Sequence, residues 1–386
     1  MQDALPTHLG TPVVPTIINF NHPEAPEQFA QSLHQTGFAI VSVANGELGI
    51  YQSQIAAARD ENIAFLDKPF SEKFPSLFLN DPYKDGGWFP LGAEGKTGGE
   101  SNLLEYLHHR ANRRGVDFQG HSFENTWHLF KGMQRLNDKL TSWLIQAMPK
   151  DNSALPTMHR LSTQMDGSMR STIRFLKYYP HHPLKPEVLP AFDETGKVRL
   201  WNDPHEDGGW LTLIPMQSKP GLQLMDTQGN WYNVPWVDEK DRDPTRIMVV
   251  VNAGDILSAA SGGKFALCLS KKREDGTVDK LHDPLTFEGH RDASGPLHMW
   301  RDGFYYQNRR LRLIKQGYYP STTHRVVAGT EVRTSMPFFF HLNGWAEIGD
   351  GWVAYDKMRG YVRNKEAQRE QALATMYAAN GIQPPS

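Results

Sequence analysis

The feature that most constrains the fold is a series of short apolar runs, typical of β-strands, in the second half of the chain. Clusters of Gly, Pro, Asn and Asp separate these runs and favour turns between them. The runs cover residues 171–179, 210–214, 221–225, 231–236, 246–252 and 332–340. Many short strands with this punctuation predict a β-sandwich or a β-barrel.

The first part of the chain has a different pattern. Alternating residues over 13–20 and 37–43 predict two strands, and helical spacing over 27–35 predicts a helix between them. Longer helical patterns follow at 51–67 and 125–148. We therefore expect helices to pack around the β-rich part of the chain.

Composition narrows the classes of function. With 386 residues and 39% apolar content, the chain can bury a large core. The formal net charge of −2 gives no electrostatic case for nucleic acid or an anionic membrane surface, and no apolar stretch is long enough to span a bilayer. The only cysteine, Cys268, excludes an intramolecular disulfide and suits a reducing compartment. We expect a cytoplasmic protein with a small-molecule substrate and without nucleic-acid or membrane partners.

Two distant polar fragments predict a metal site. On a strand, side chains alternate between faces, so His205 and Asp207 point the same way from one rigid element. His324 on another strand would complete a 2-His-1-carboxylate facial triad, which binds Fe(II) on one side and leaves the other coordination positions open. Open coordination positions are what oxygen chemistry requires.

A second pair of residues predicts an anion site. The same alternation puts Arg333 and Ser335 on one face of a strand over 331–340, where a guanidinium fork and a hydroxyl can jointly hold a carboxylate. Because burying an unpaired guanidinium is costly, Arg333 requires an anionic partner. That partner is either a carboxylate of the protein or a bound small molecule.

These fragments belong to an ordered series. After His205 come Pro220-Gly-Leu-Gln-Leu224 and Val251-Asn-Ala-Gly-Asp-Ile-Leu257, and then His324 and Arg333-Thr-Ser335. Upstream, Tyr178-Tyr179-Pro180 matches a strand that usually precedes the His-x-Asp fragment. The series resembles the isopenicillin N synthase-like family of iron(II)- and 2-oxoglutarate-dependent oxygenases, and the resemblance covers most of the chain.

The resemblance implies a mainly β fold with flanking helices and a distorted double-stranded β-helix, or jelly-roll, core. Residues 1–165 would then form an N-terminal α/β region packed on the core. The core would cover 166–353, with an insertion at about 266–316, and residues 354–386 would form a C-terminal helix.

The resemblance also implies cofactors and the residues that bind them. Fe(II) is the metal, 2-oxoglutarate the co-substrate and O2 the oxidant. The implied iron ligands are His205, Asp207 and His324. Arg333 and Ser335 would hold the distal carboxylate of 2-oxoglutarate, and Tyr179 would reach the same carboxylate.

The implied reaction is the hydroxylation, desaturation or cyclisation of a small molecule, with release of succinate and CO2. One alternative is an iron oxidase of the isopenicillin N synthase type, which does not use 2-oxoglutarate. Arg333 and Ser335 would then hold the substrate's own carboxylate. The other alternative is a non-catalytic protein that binds a small acid or assembles through its insertion.

One departure from the family pattern concerns charge. The family commonly has asparagine two residues before Tyr179, where this chain has Lys177. Alternation puts Lys177 on the face of Phe175 and Tyr179, so we expect it to add a positive charge near the iron, for the substrate or the co-substrate. The alternatives are a salt bridge to a protein carboxylate and a shifted register. Arg174 falls on the other face, and we assign it a structural role.

The other departure concerns spacing. His205 and His324 lie 119 positions apart, roughly twice the usual family distance, and the insertion accounts for the excess. A long insertion beside a site is a lid, a dimer contact or a surface decoration. It also offers other histidines as third ligand. The alternatives to His324 are His282, His290, His298 and His341. His324 is preferred because Arg333 follows it at the family's spacing.

Overall fold

Among the residues that the structure describes, helices are more frequent in the first half of the chain than in the second. The computed structural model describes residues 17–77, 86–91, 103–110, 122–165, 171–180, 199–225, 229–272, 278–281, 300–301, 304–349 and 352–354, with positions 374, 377 and 378. The α-helices in these ranges are α1 (Ala25–Thr36), α2 (Gln52–Leu66), α3 (Phe70–Lys73), α4 (Glu124–Ala147), α5 (Leu155–Ser162) and α6 (Asp255–Ala260).

Sequence explains where the main helices form and end. α4 has buried residues every three or four positions, among them Leu129, Met133 and Leu136, so one face of the helix packs against the protein. α1 ends at Gly37, whose φ of 70° lies in the left-handed region that glycine adopts without strain. The predicted helices over 27–35, 51–67 and 125–148 are confirmed as α1, α2 and α4.

The strands are short, as the pattern of apolar runs predicts. Those of the first half are β1 (Ile17–Asn19), β2 (Phe38–Ala44), β3 (Gly87–Phe89), β4 (Leu104–Arg110) and β5 (Thr172–Tyr178). Those of the middle are β6 (Leu200–His205), β7 (Leu211–Ile214), β8 (Leu222–Met225), β9 (Trp231–Asn233) and β10 (Arg246–Ala253). The remaining strands are β11 (Lys264–Lys272), β12 (Val278–Leu281), β13 (Trp300–Arg301), β14 (Phe304–Lys315), β15 (His324–Val327), β16 (Arg333–Ser335), β17 (Phe338–Phe339), β18 (Glu347–Gly349) and β19 (Trp352–Val353).

Two sheets form the body of the described protein. The larger has nine strands in the order β1-β2-β10-β7-β17-β5-β4-β3, with β16 also paired to β5. The smaller has four, in the order β6-β15-β8-β9. Because β2 pairs with β10, the first strands of the chain join the same sheet as the β-rich second half. The predicted mainly β architecture with flanking helices is confirmed.

Two apolar clusters cover the two faces of the large sheet. The inner cluster contains residues of both sheets, including Tyr178, Trp201, Leu224 and Val326. The outer cluster joins the opposite face of the large sheet to the helices, with Phe175 and residues of α4 among its members. Both faces of the large sheet are therefore buried, and the inner face is the one that the two sheets share.

The long insertion contains its own sheet. β11 and β14 pair as antiparallel neighbours, and β12 and β13 complete the order β12-β11-β14-β13. At its base, Ser258 donates a hydrogen bond to Gln316 Oε1 over 2.8 Å, and Gln316 Nε2 donates to Ser321 O over 2.9 Å. The base of the insertion is thus bonded to the segment that leads to His324.

Some predictions concern residues that lie outside the described ranges. These are most of the C-terminal helix over 354–386 and the alternative ligands His282, His290 and His298.

The predicted strand over 331–340 is two strands, β16 and β17, because Met336 and Pro337 separate them. Among the described residues, no helix combines the length and hydrophobicity needed to cross a bilayer.

Candidate metal centre and anion pocket

The predicted metal ligands meet where β6, an edge strand of the small sheet, pairs with β15. His205 is the last residue of β6, His324 is the first of β15, and the two residues are direct cross-strand partners. Asp207 follows β6, and its Oδ1 lies 3.9 Å from His205 Nε2 and 3.8 Å from His324 Nε2. One ligand atom from each residue lies within 4.8 Å of the other two. Within the described residues, this is the cluster that can hold a metal ion.

Hydrogen bonds fix the orientation of both imidazole rings. The Nδ1 of His205 lies 2.6 Å from Asp203 O, and the Nδ1 of His324 lies 3.1 Å from Thr322 O. Because a carbonyl oxygen only accepts, each Nδ1 carries the proton and each Nε2 keeps a lone pair. Both lone pairs belong to the nitrogens nearest Asp207, as metal ligation requires.

Asp207 is held by residues from two other strands. Its Oδ2 accepts hydrogen bonds from Thr212 Oγ1 over 2.6 Å and from Asn252 Nδ2 over 2.7 Å. These bonds occupy one carboxylate oxygen and leave Oδ1 for a metal. The loop after Asp207 packs against the start of α6 so closely that a Cβ atom at Gly254 would lie 2.3 Å from Gly209 O.

The protonation states of the cluster suit a cation. Burial, followed by the charge of His324, lowers the pKa of His205 to about 4, although 36% of this side chain remains exposed at the edge of the cluster. Burial opposes ionisation of Asp207, but His324, His205 and the bonds from Thr212 and Asn252 outweigh it and lower its pKa. At neutral pH the site therefore offers a neutral imidazole at His205 and a carboxylate at Asp207.

Asn252→Ala is expected to weaken Fe(II) binding by roughly 10-fold to 100-fold, because residues that orient metal ligands typically contribute that much. The variant removes one of the two donors that hold Asp207 Oδ2. Anaerobic titration with Fe(II) measures the effect. Asn233→Ala, on an exposed β9 side chain bonded to Gln223, is the matched control and should bind Fe(II) normally. Equal losses in both variants would contradict a specific role for Asn252.

Arg333 provides a buried positive charge on the inner side of the large sheet. The side chain is 1% exposed. Its Nε donates to Lys219 O over 3.1 Å and its Nη2 to Gln217 Oε1 over 2.8 Å, whereas its Nη1 has no hydrogen-bond acceptor within the described ranges. In the part of the chain that the structure describes, no carboxylate forms an ion pair with this guanidinium. Burial lowers the pKa of Arg333, because removing the charged guanidinium from water disfavours its protonated form.

Ser335 and Tyr178 share the inner face with Arg333. In the pairing of β16 with β5, Arg333 lies opposite Tyr178 and Ser335 opposite Leu176. The guanidinium lies 5.1 Å from the centroid of the Tyr178 ring, and that ring packs 5.6 Å from Trp201 on β6, the strand of His205. Ser335 itself is buried. The residues predicted to bind an anion, Arg333 and Ser335, form what we call the anion pocket. This pocket and the metal cluster of His205, Asp207 and His324 therefore border the same inner cluster.

The positions of Tyr179 and Lys177 correct two of the predicted contacts. Both side chains lie on the outer face of β5, where Tyr179 donates a hydrogen bond to Glu105 and Lys177 forms an ion pair with Asp67. Burial, followed by the charge of Glu105, raises the pKa of Tyr179. Tyr178, not Tyr179, lies beside Arg333, and the salt bridge considered for Lys177 is the one that the structure shows.

Arg174 requires the opposite correction. Its guanidinium lies over the ring of Tyr106, a member of the inner cluster, at 4.6 Å from the centroid. The positive charge expected on the inner face at Lys177 is therefore at Arg174. His341, an alternative third ligand, is buried next to Gly209 and does not belong to the cluster of His205, Asp207 and His324.

Sequence reasoning also missed residues that support the site. Thr212, Asn252 and Gln217 all form a hydrogen bond with a predicted site residue. Thr212 lies 5 positions from its partner in sequence, whereas Asn252 and Gln217 lie 45 and 116 positions from theirs. Asn252 and Thr212 do have a signal. Each stands in an apolar strand at a position whose side chain must face inward, and a buried amide or hydroxyl requires a hydrogen-bond partner.

Comparison with known proteins agrees with this geometry. No family model matches the chain. Gibberellin 2-beta-dioxygenase 4 of Arabidopsis thaliana is 26% identical over 218 residues, which cover 56% of this chain and 62% of the relative. The chain thus matches less than two thirds of that relative's length.

Solved structures show the fold over a greater length. Full-length T7H of Neurospora crassa, in complex with alpha-ketoglutarate (2-oxoglutarate), superimposes with a TM-score of 0.58 at 16% identity and covers 91% of this chain and 95% of its own. The auxin-oxidising dioxygenase AtDAO1 of Arabidopsis thaliana, bound to 2-oxoglutarate, gives a TM-score of 0.51 at 16% identity, over 86% of this chain and 93% of its own. The predicted double-stranded β-helix is confirmed. The curated relative is a dioxygenase by name, which agrees with the resemblance found in the sequence.

Proposed function

We propose that the protein is an Fe(II)- and 2-oxoglutarate-dependent oxygenase that oxidises a small organic molecule with release of succinate and CO2. The observation that carries the proposal is the pairing of a His-Asp-His cluster with a buried guanidinium that has no counter-ion in the described part of the chain, both on one inner surface. The first holds a metal, and the second requires an anion. We further propose a cytoplasmic location, which rests on the single cysteine in the chain.

The donor set fits Fe(II). Two imidazole nitrogens and one carboxylate oxygen, all on one side of the site, are the ligands of non-haem iron oxygenases. His205, Asp207 and His324 would hold the ion. When bound, Fe(II) supplies the one-electron and O2 chemistry that protein side chains lack. The single carboxylate of Asp207 would compensate only part of the charge of Fe(II). The remaining positive charge favours a further anionic ligand.

The anion pocket fits the distal carboxylate of 2-oxoglutarate. The Nη1 of Arg333 has no acceptor among the described residues, and Ser335 follows two residues later on the same face. A guanidinium and a hydroxyl converging on a carboxylate give short, charge-assisted hydrogen bonds. We assign Tyr178 to this pocket in place of Tyr179, because its ring packs against the guanidinium. Apolar neighbours of the inner cluster would keep water from the bound molecule.

The relatives support the reaction class and leave the substrate open. The name of the Arabidopsis relative places its activity on gibberellin, and another T7H structure holds thymine with its 2-oxoglutarate. These molecules differ widely, so they assign only a small organic substrate to this chain. Hydroxylation, desaturation and cyclisation all fit the site.

Succinate formation tests the proposal. Purified protein incubated with Fe(II) and 2-oxoglutarate in air is expected to release succinate slowly without a substrate, because the co-substrate site is complete in the chain. The variant His205→Ala is the matched control and should release at least about 100-fold less, since it lacks one metal ligand. Oxygen consumption that needs Fe(II) but not 2-oxoglutarate would instead indicate the isopenicillin N synthase type of oxidase. Failure of both reactions would refute an oxygenase.

A further inference from the structure

His324 follows a segment that has no regular secondary structure. Residues 316–323 connect β14 to β15 and lie outside any helix or strand. Within this segment, Thr322 O accepts the hydrogen bond from His324 Nδ1 over 3.1 Å. The orientation of the imidazole therefore depends on how firmly Thr322 is held.

Thr322 is held by the C-terminal end of α1. Its side chain is buried, and its Oγ1 donates a hydrogen bond to Thr36 O over 2.5 Å. Thr36 is the last residue of α1 and lies 286 positions away in the sequence. Its carbonyl is available for this bond because the last four C=O groups of a helix have no partner within the helix. Thr322 thus connects α1, through its hydroxyl, to the imidazole of His324, through its carbonyl.

The residue after α1 must be glycine for this contact to form. A Cβ atom at Gly37 would lie 2.1 Å from Thr322 Oγ1 and 2.5 Å from Pro320 O. Both distances are far shorter than van der Waals contact, so a side chain at this position would displace the segment that leads to His324. Close packing against Thr322 and the left-handed backbone of Gly37 therefore both require glycine.

The same turn contacts the residues that support Asp207. Gly37 O accepts a hydrogen bond from Ala253 N over 2.9 Å. In the pairing of β2 with β10, Phe38 lies directly opposite Asn252. Asn252 is one of the two donors that hold Asp207. The turn after α1 is therefore bonded to the strand that supports the carboxylate as well as to the segment that supports an imidazole.

Two ring contacts strengthen the connection between α1 and this segment. The Phe38 ring meets the His324 ring edge-on, with centroids 5.7 Å apart. On α1 itself, the His34 ring stacks on that of Tyr318 at 4.0 Å, and its Nδ1 donates to Tyr318 O over 2.6 Å. The end of α1 and the turn that follows it thus contact the segment at 318 and 322, and His324 directly.

We propose that the turn of residues 36–38 and the side chain of Thr322 position His324 for the metal, so that the N-terminal region completes the metal centre. This inference rests on the metal site of the proposed function. Thr322 is a positioning residue, because it acts through the carbonyl that holds His324 Nδ1. A ligand that is already oriented binds a metal more tightly, since less ordering remains when the ion arrives.

Substitutions at Thr322 test the proposal. Thr322→Val keeps the volume and removes the hydroxyl donor, whereas Thr322→Ser keeps the donor. In anaerobic titrations, Thr322→Val is expected to bind Fe(II) roughly tenfold more weakly than the unsubstituted protein, and Thr322→Ser should restore the affinity. The visible absorption spectrum of the Co(II)-loaded protein, which reports the geometry around the metal, should change in Thr322→Val alone. Thr323→Val removes the neighbouring hydroxyl, which is bonded to Glu206, and is the matched control for both measurements.

A pair of glycine substitutions reaches the same contact from α1. Gly37→Ala inserts a methyl group against Thr322 Oγ1 and should also weaken Fe(II) binding. Gly229→Ala is the matched control, because Gly229 has a φ of 87° and no atom of the described residues lies within 4 Å of the added Cβ. Both variants carry the strain of alanine at positive φ, so a loss of metal affinity confined to Gly37→Ala separates the contact from the strain.

Three outcomes overturn the proposal. Thr322→Val could fold and bind Fe(II) as tightly as the unsubstituted protein, Thr322→Ser could lose as much affinity as Thr322→Val, or the two glycine variants could lose affinity equally. If Thr322→Val does not fold, the glycine pair decides. These measurements use neither O2 nor 2-oxoglutarate, so a protein that binds metal as expected but releases no succinate would refute the proposed function alone.

Discussion

Replacing Asp207 with alanine is expected to weaken Fe(II) binding by at least about 100-fold. Its carboxylate is the anionic member of the cluster, and its Oδ1 is the atom that both Nε2 atoms approach. Two imidazoles remain in the variant, and they no longer form the facial set of three ligands that suits Fe(II). Removal of residues that merely orient a ligand typically costs 10-fold to 100-fold, so removal of a ligand should cost more. Anaerobic titration with Fe(II) measures the affinity.

The neighbouring acid provides the control for this experiment. Glu206→Ala removes a carboxylate one position away, which accepts a hydrogen bond from Thr323 and is not a member of the cluster. It should bind Fe(II) as the unsubstituted protein does. Circular dichroism of both variants reports whether the fold persists. If the double variant His205→Ala, Asp207→Ala still bound Fe(II) normally, the metal assignment and the oxygenase proposal would both fall.

The metal cluster could be predicted because its information is local. His205 and Asp207 are two residues apart in the sequence. Although β6 ends at His205, Asp207 follows it so closely that both side chains reach the same site. His324 lies far away in sequence, but the spacing to Arg333 identifies it among the sixteen histidines. The structure then adds what spacing does not contain, namely that β6 and β15 are paired so that the two histidines are direct partners.

The inner and outer faces of β5 could not be predicted because both are buried. Helices cover the outside of the large sheet, so Phe175 packs in the outer cluster as completely as Tyr178 does in the inner one. Because both faces are buried, apolar residues occupy both sets of alternating positions, and the sequence does not show which face points inward. A choice between Tyr178 and Tyr179 depends on register, and a slip of one residue exchanges every assignment. The roles expected for Lys177 and Arg174 were exchanged for this reason.

Support for Asp207 depends on the pairing of two other strands, β7 and β10. Asn252 is 45 positions away and comes from β10, whereas Thr212 comes from β7. The two strands are antiparallel neighbours in which Asn252 lies directly opposite Thr212. Only the pairing of the strands shows that one carboxylate oxygen can accept from both residues, which is why sequence reasoning identified the ligand without its supporting residues.

Arg333→Met is expected to abolish detectable 2-oxoglutarate binding and, at the same time, to leave the ligand-free protein as stable as before or more stable. The guanidinium is buried with one nitrogen unsatisfied and without a counter-ion among the described residues. Replacing buried charge by an apolar side chain of similar volume is often neutral or stabilising, by about 1–4 kcal/mol. Loss of the bonds to Gln217 and Lys219 O opposes this gain. We therefore expect a change in the free energy of unfolding between zero and about +2 kcal/mol.

Thermal unfolding with and without 2-oxoglutarate separates the two effects. A ligand at 100 times its Kd stabilises the folded state by about 2.7 kcal/mol. The unsubstituted protein, loaded with Fe(II) without oxygen, should show this stabilisation, whereas Arg333→Met should show none. Arg160→Met should respond to 2-oxoglutarate as the unsubstituted protein does, because the exposed Arg160 side chain donates to Glu347 O, away from Arg333 and from the metal cluster. If Arg333→Met were strongly destabilised and 2-oxoglutarate still stabilised it, Arg333 would have a structural role. A buried charge that serves to bind a ligand should instead lower the stability of the ligand-free protein.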